Sequence, residues 1–286
     1  MRIVLVGGGR LGATLAGALR RAHHDVTLVV RCGDRRAALA NDPRWRGIPI
    51  VTNVADAPAA DADYWTVPDR ALSEVALRDA ALAPIAWHAA GSLPSAALPA
   101  RAGVARGVLH PLAACPDPLH VPGADPLDGA AFGIAGDATA AAAAHRIATD
   151  LGGRPLRLPE GAATAYHAAA ALAANDLAAL LLAAEQAGVT AGLDATTLRQ
   201  GLVHLSRTAL DALARVPEAR PWVDGLTGAV ARGDDATLRA HLAVLDGEAR
   251  TLHASASRWL TEAAAEAGRL PPEAVERLRA AASRGQ

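Results

Sequence analysis

With 286 residues and a formal net charge of −1, the chain is long enough for two domains and presents no global basic field to nucleic acid. Hydrophobic residues make up 51%, much of it alanine, which is ample for a core, while two cysteines, Cys32 and Cys115, give neither a disulfide framework nor a metal-ligand cluster. All 28 residues in the Lys+Arg count are arginine, so a general acid must come from His, Tyr, Asp, Glu, Cys or water.

The first element is a β-branched run, Ile3 to Val6, and it leads into Gly7, Gly9 and Gly12 at G-x-G-x-x-G spacing. Leu11, Leu15, Ala18 and Leu19 follow at helical spacing, then a second apolar run from Val26 to Val30. Strand, glycine turn, helix and strand in that order form the context of a dinucleotide-binding fingerprint. Gly7 is expected to make the tight turn, Gly9 to let the backbone approach a pyrophosphate and Gly12 to let helix and strand pack closely. Arg10 and Leu11 open the helix whose N-terminus faces the phosphates. The second strand ends without an acid, in Arg31-Cys32-Gly33-Asp34-Arg35-Arg36. Arg31, Arg35 and Arg36 suit a 2′-phosphate and so favour NADP over NAD, although Asp34 points the other way and the arginines could simply be solvated.

Further strands are expected at Ile48 to Thr52, Tyr64 to Val67, Pro84 to His88, Val104 to Leu109, Phe132 to Ala135 and Arg154 to Leu158. Helices are expected at Ala71 to Ala80 and Ala138 to Leu151. Strands alternating with helices predict an α/β fold with a Rossmann-like, mostly parallel sheet. Beyond Pro159 only helical signals remain: Glu160 to Gly188, Asp194 to Val216, Ala236 to Ala267 and Pro272 to Ser283. The expected domains are therefore 1–158, binding dinucleotide, and 159–286, helical, with the substrate in the cleft between them. Ala168 to Ala184 approaches membrane-spanning length, but Asn175 and Asp176 interrupt it, so a buried helix is expected rather than a membrane span. The fingerprint begins at residue 2 and leaves no room for a signal peptide, which points to the cytoplasm.

Ligands of open α/β sheets sit beyond the carboxyl ends of the strands. There the sequence offers Val67 and Pro68, the small turn Ala89-Ala90-Gly91-Ser92 after His88, and His110 before Pro111. Ala89 and Gly91 would let a nicotinamide ring approach; His88, Ser92 and His110 could hydrogen-bond cofactor or substrate, and His88 could equally be a core histidine. On the first long helix, His167 and Asn175 lie about 80° apart at 100° per residue, with Tyr166 roughly opposite Asn175 and so expected to serve elsewhere. His167, His110 and Asn175 are the expected catalytic set, with a histidine of ordinary pKa near 6.5 as proton donor. Thr227-Gly228 and Arg232-Gly233-Asp234 form a further polar cluster. The long Ala/Leu helix is apolar nearly all round, which predicts a homodimer that covers it.

The segments Val6 to Gly12, Val67 to Asp69, His88 to Ser92, Leu109 to Leu112, Phe132 to Asp137, Tyr166 to Ala170 with Asn175, and Leu226 to Asp234 resemble, in order, a bacterial family. Its members join a Rossmann-like domain to a helical domain of unknown function and are often labelled NADP oxidoreductases of the deazaflavin-dependent type. More distantly, the Ala89-Ala90-Gly91 turn followed by His110-Pro111 is similar to pyrroline-5-carboxylate reductases, which dimerise through helical C-terminal domains. Ketopantoate reductases and β-hydroxyacid dehydrogenases share the architecture, with a Lys and an Asn on the first long helix. Asn175 could match that Asn, whereas no lysine exists here. The resemblance implies an NADP(H)-dependent reductase of a small C=N or C=O substrate. The alternatives are an NADP(H)-binding sensor or scaffold without turnover, and a deazaflavin-dependent NADP reductase.

Overall fold

The computed structural model describes residues 1–79, 83–121 and 125–283. Eight strands form one sheet: β1 (Arg2–Val6), β2 (Asp25–Val29), β3 (Ile50–Val51), β4 (Ala62–Trp65), β5 (Ile85–His88), β6 (Ala105–Leu112), β7 (Ala131–Gly136) and β8 (Arg154–Arg157). Their order is β3-β2-β1-β4-β5-β6-β7-β8, parallel throughout except between β6 and β7. This is the expected α/β class with a Rossmann-like, mostly parallel sheet.

The two-residue period of a strand divides its side chains between two cores. Ile3 and Leu5 face the layer of α1 (Arg10–Arg21) and α4 (Ala138–Asp150), which buries Leu15, Leu19, Ala144 and Ile147. Val4 and Val6 face the layer of α3 (Leu72–Asp79), which buries Leu72, Val75 and Ala76. The expected end of that helix, Ala80, lies outside the described residues. A further helix, α2 (Gly33–Asn41), follows β2 directly.

The chain forms two compact units, Met1–Leu172 and Ala173–Gln286. The division falls within the first long helix rather than at 158–159, because α5 (Ala163–Ala171) keeps Tyr166 and His167 against His110 at the end of β6. That long helix starts at Ala163 and contains a π turn, Leu172–Asp176, before α6 (Leu177–Thr190). The second unit continues with α7 (Ala195–Ala214), α8 (Asp235–Val244), α9 (Gly247–Glu266) and α10 (Pro272–Ser283). The run expected from Ala236 to Ala267 is thus two helices, broken where Gly247 takes φ +46°. Helices α8 to α10 bury a small core that includes Leu238, Leu242, Ala254 and Leu278. None of the residues of α5, the π turn, α6 or α7 is buried.

Candidate functional site

The glycine turn has the stereochemistry its spacing implies. Gly7 adopts φ +118°, a conformation that side chains resist. A Cβ on Gly12 would stand 1.8 Å from the Gly7 carbonyl oxygen, so nothing larger than glycine fits between helix and strand. A Cβ on Gly9, by contrast, would meet nothing within 4 Å. Gly9 is the N-cap of α1, no side chain caps that helix, and its first turn holds no acidic residue. The first-turn amides therefore lack a side-chain cap, and the space beside Gly9 is open, an arrangement that suits an anion. Thr66 braces the turn by donating from Oγ1 to the Gly7 carbonyl at 3.0 Å.

The three arginines are all engaged. Arg31 pairs with Asp79 at the end of α3. Arg35 donates from Nε to the Gly8 carbonyl (2.8 Å) and from one terminal nitrogen to both Asp117 oxygens (2.8 and 2.9 Å), pinning the loop after β6 to the glycine turn. Arg36 donates to Thr52 at the end of β3. Arg35 is therefore a brace, while Arg31 keeps the more open guanidinium, 40% exposed against 18%.

Val67 and Pro68 follow β4 and lead into a one-turn 3-10 helix, Asp69–Ala71. Ser92 is tied to it, donating to Asp69 Oδ2 at 3.0 Å. His88 is the core histidine of the two alternatives, fully buried. Its Nε2 donates to the Pro94 carbonyl (3.0 Å) and its Nδ1 accepts from the Ala90 amide (3.2 Å), which shapes the Ala89 to Gly91 turn. Burial pushes its pKa down.

The side chains expected to do chemistry meet at the end of β6. Tyr64 donates to the Leu109 carbonyl and fixes the strand just before His110. A Gly91 Cβ would lie 2.9 Å from His110 Nε2, so the imidazole occupies the space where that side chain would stand. Across the antiparallel pair, His110 is opposite Gly133. A Gly133 Cβ would lie 2.8 Å from the Tyr166 ring, so the phenol covers that glycine in the same way. Tyr166 Oη stands 3.0 Å from His110 Nδ1, with the rings edge to face at 88°. The exposed His167 ring is centred 6.0 Å from that of His110.

Two expectations are corrected here. Tyr166 does not serve elsewhere; it contacts His110 directly. Nor does the 100° count relating His167 to Asn175 hold, because Asn175 lies in the π turn, whose hydrogen bonds close over five residues. Asn175 belongs to the second compact unit and is exposed. His110 also departs from an ordinary imidazole. Burial, then the neighbouring His167, lowers its pKa to about 4 against an opposing pull from Asp69, with His88 adding a smaller push down. It is neutral at physiological pH, a hydrogen-bonding group rather than an imidazolium donor. Burial pushes the Tyr166 hydroxyl in the other direction, up. In the Thr227 to Asp234 cluster, Asp234 caps α8 by accepting from the Thr237 amide, and Gly233 takes φ +69°.

Residues 130–259 match the family model described as "Domain of unknown function (DUF2520)". Among solved structures, the chain is similar to protein TM1727 from Thermotoga maritima (24% identity, 92% of this chain and 98% of that chain, TM-score 0.69). It is similar also to BF3122 from Bacteroides fragilis, described as a candidate NADP oxidoreductase (22%, 91% and 98%, TM-score 0.70). A third is the 1-pyrroline-5-carboxylate reductase of Streptococcus pyogenes (14%, 80% and 85%, TM-score 0.62). No curated protein matches. These structures return the expected fold, a Rossmann-like α/β sheet followed by helices, and the match to the domain of unknown function takes in β7 and β8 as well as helices of the second unit.

Proposed function

We propose that the protein is an NADP(H)-dependent reductase of a small C=N or C=O substrate. The observation that carries this reading is Gly9, whose missing side chain faces open space at the uncapped N-terminus of α1. The residues present fit a dinucleotide. The first-turn amides from Arg10 to Gly12 would take the pyrophosphate, Val67 and Pro68 would flank it, and the Ala89 to Gly91 turn would lie beside the nicotinamide. A bound reduced nicotinamide dinucleotide supplies hydride. The protein supplies orientation and polar contacts. His110, neutral and seated over Gly91, is placed to hydrogen-bond the substrate heteroatom, with His167 on its exposed side. A site with a neutral imidazole and no lysine suits an imine that binds already protonated. The names of BF3122 and of the Streptococcus reductase agree with this class of chemistry.

NADP is favoured over NAD because Arg31 stands at the end of β2 with its guanidinium partly open. Loss of one charged phosphate contact costs about 1.5–3 kcal/mol. Calorimetry of NADPH and NADH on Arg31→Ala should show the NADPH preference falling by that order; an unchanged ratio would show that Arg31 does not read the phosphate. Oxidation of NADPH with a panel of cyclic imines and 2-keto acids tests turnover. Binding of NADPH without oxidation by any of them would favour the sensor reading.

We also propose a homodimer through the second unit. Leu182 and Leu205 are each more than 60% exposed, on helices that bury nothing in the single chain. The stretch Ala163–Thr190 is long and apolar enough to cross a membrane by length and composition. Asn175 and Asp176 at its middle, and Glu185 paired with Arg199, suit a protein partner better than lipid.

A further inference from the structure

We propose that Asp69 is a specificity-determining residue: its carboxylate, tethered by Ser92 beyond the carboxyl ends of β4 and β5, selects a substrate that carries positive charge at its reacting group. The proposal rests on the reductase reading above and narrows it to a cationic C=N. Three neighbouring strands bring the groups together. β4, β5 and β6 lie side by side in the sheet, and Asp69, Ser92 and His110 stand at or just past their carboxyl ends. The segment after β5 is held at two points by the buried His88 ring, which contacts the Ala90 amide and the Pro94 carbonyl. Ser92 lies between those points. Its predecessor, Gly91, receives the His110 imidazole, since a Cβ there would lie 2.9 Å from that ring. Ser92 itself donates to Asp69 Oδ2 at 3.0 Å. One peptide step thus links the residue against which the imidazole rests to the residue that holds the carboxylate.

The carboxylate keeps its charge. Asp69 is exposed, and among the described residues it has no ion-pair partner, Arg70 beside it in sequence included. Arg31, Arg35 and Arg36 are engaged by other groups. Ser92 fixes Oδ2 with a neutral hydroxyl, which orients the carboxylate without cancelling it, and Oδ1 is left to accept from a ligand. His110, neutral, offers no balancing cation, although Asp69 is near enough to act on it. A fixed negative charge here attracts an iminium and repels the anion of a 2-keto acid. The chemistry agrees. In reduction of an iminium, hydride from the dinucleotide adds to carbon, the C=N π pair passes to nitrogen, and a neutral amine forms as the dinucleotide is oxidised. No proton is consumed. A C=O would instead need a proton for its new alkoxide oxygen, in a chain without lysine.

The test compares probes of one size and different charge. Calorimetric titrations of the full chain at neutral pH, with and without NADPH, use pyrrolidinium as the cation, cyclopentanol as the neutral ring and pyruvate as the anion. Wild-type protein should bind pyrrolidinium at least about tenfold more tightly than either of the others, the order of one hydrogen bond to a charged group. Asp69→Asn, which keeps an oxygen for Ser92 and removes the charge, should bring pyrrolidinium and cyclopentanol to within about twofold of one another, while Asp69→Glu should keep a preference for the cation. Equal binding of the three probes by the wild type, or no binding of pyrrolidinium, would overturn the proposal, and so would an unchanged preference in Asp69→Asn. Should the variants fail to fold, the wild-type ratio decides alone. A wild type that prefers the cation yet oxidises NADPH with no imine would keep the charge selection and remove the reductase reading.

Discussion

Leu278 and Leu182 belong to the same compact unit, yet one is 0% exposed and the other 67%. The first sits in the small core that α8, α9 and α10 close among themselves; the second projects from α6, which packs beside α7 without burying any of its own residues. Histidines divide in the same manner in the first unit. His110 is held under Tyr166 and made neutral by burial, while His167, on the same side of the pair, stays exposed. Composition does not separate these cases. What separates them is whether the chain itself completes the enclosure, and where it does not, the apolar surface marks a place for something else.

Three measurements act on that contrast. Leu278→Ala should have the largest effect, since deleting a fully enclosed leucine removes its transfer energy and leaves a cavity. A loss of about 2–5 kcal/mol is expected in urea unfolding. A loss below about 1 kcal/mol would mean that the α8 to α10 core is not closed. Next comes pH. Free imidazole titrates near 6.5, and His110 in the fold only at about 4, so the unfolded chain takes up the proton first. The contribution is complete above about pH 6.5 and is lost as pH falls toward 4, at most about 3 kcal/mol. His24 and His88, whose pKa values burial also lowers, add in the same sense. His110→Gln should therefore flatten the stability profile between pH 6.5 and 4 without abolishing its slope; a slope equal to that of the wild type would place the titration elsewhere. Smallest in the isolated fold is Leu182→Asp. It should change monomer stability by no more than about 0.5 kcal/mol, as for a surface site. The same substitution should weaken self-association by about 2 kcal/mol or more, the scale of an interface hot spot. Light scattering across a concentration series reads it directly, and a wild-type protein that is monomeric at micromolar concentration would remove the dimer from consideration.

Local signals in the sequence were reliable where the physics is local. The glycine spacing, the alternation of Ile3, Val4, Leu5 and Val6 between two faces, and the carboxyl-end positions of Val67, His88 and His110 all follow from neighbours in the chain. Partners far away in sequence were not legible. Nothing near Arg31, Arg35 or Arg36 announces Asp79, Asp117 or Thr52, so three arginines read as open phosphate ligands are in fact paired. The π turn was equally silent, because the run from Ala168 to Leu182 has the composition of an unbroken α-helix, and one wider turn invalidates every angle counted across it. Tyr166 could have been suspected from the strand beyond it. Gly133 sits inside β7, where a glycine weakens pairing and often marks the close approach of another group. What that group was depended on the β6–β7 register, which the sequence does not print.

The pairing of Gly91 with His110 and Gly133 with Tyr166 alters how this region answers to alanine scanning. Alanine substitution ordinarily subtracts a side chain, and its silence is taken to mean that a position is idle. At residues 91 and 133 it adds a methyl group 2.9 and 2.8 Å from the nearest ring atom, closer than real contacts allow. Either ring would have to move, and each addition would reach the same Nδ1–Oη bond from an opposite side. The two positions with no side chain to lose are thus among those through which a survey of the sheet's carboxyl edge would find the pair, and the two effects should fail to add, since they dislodge one shared contact.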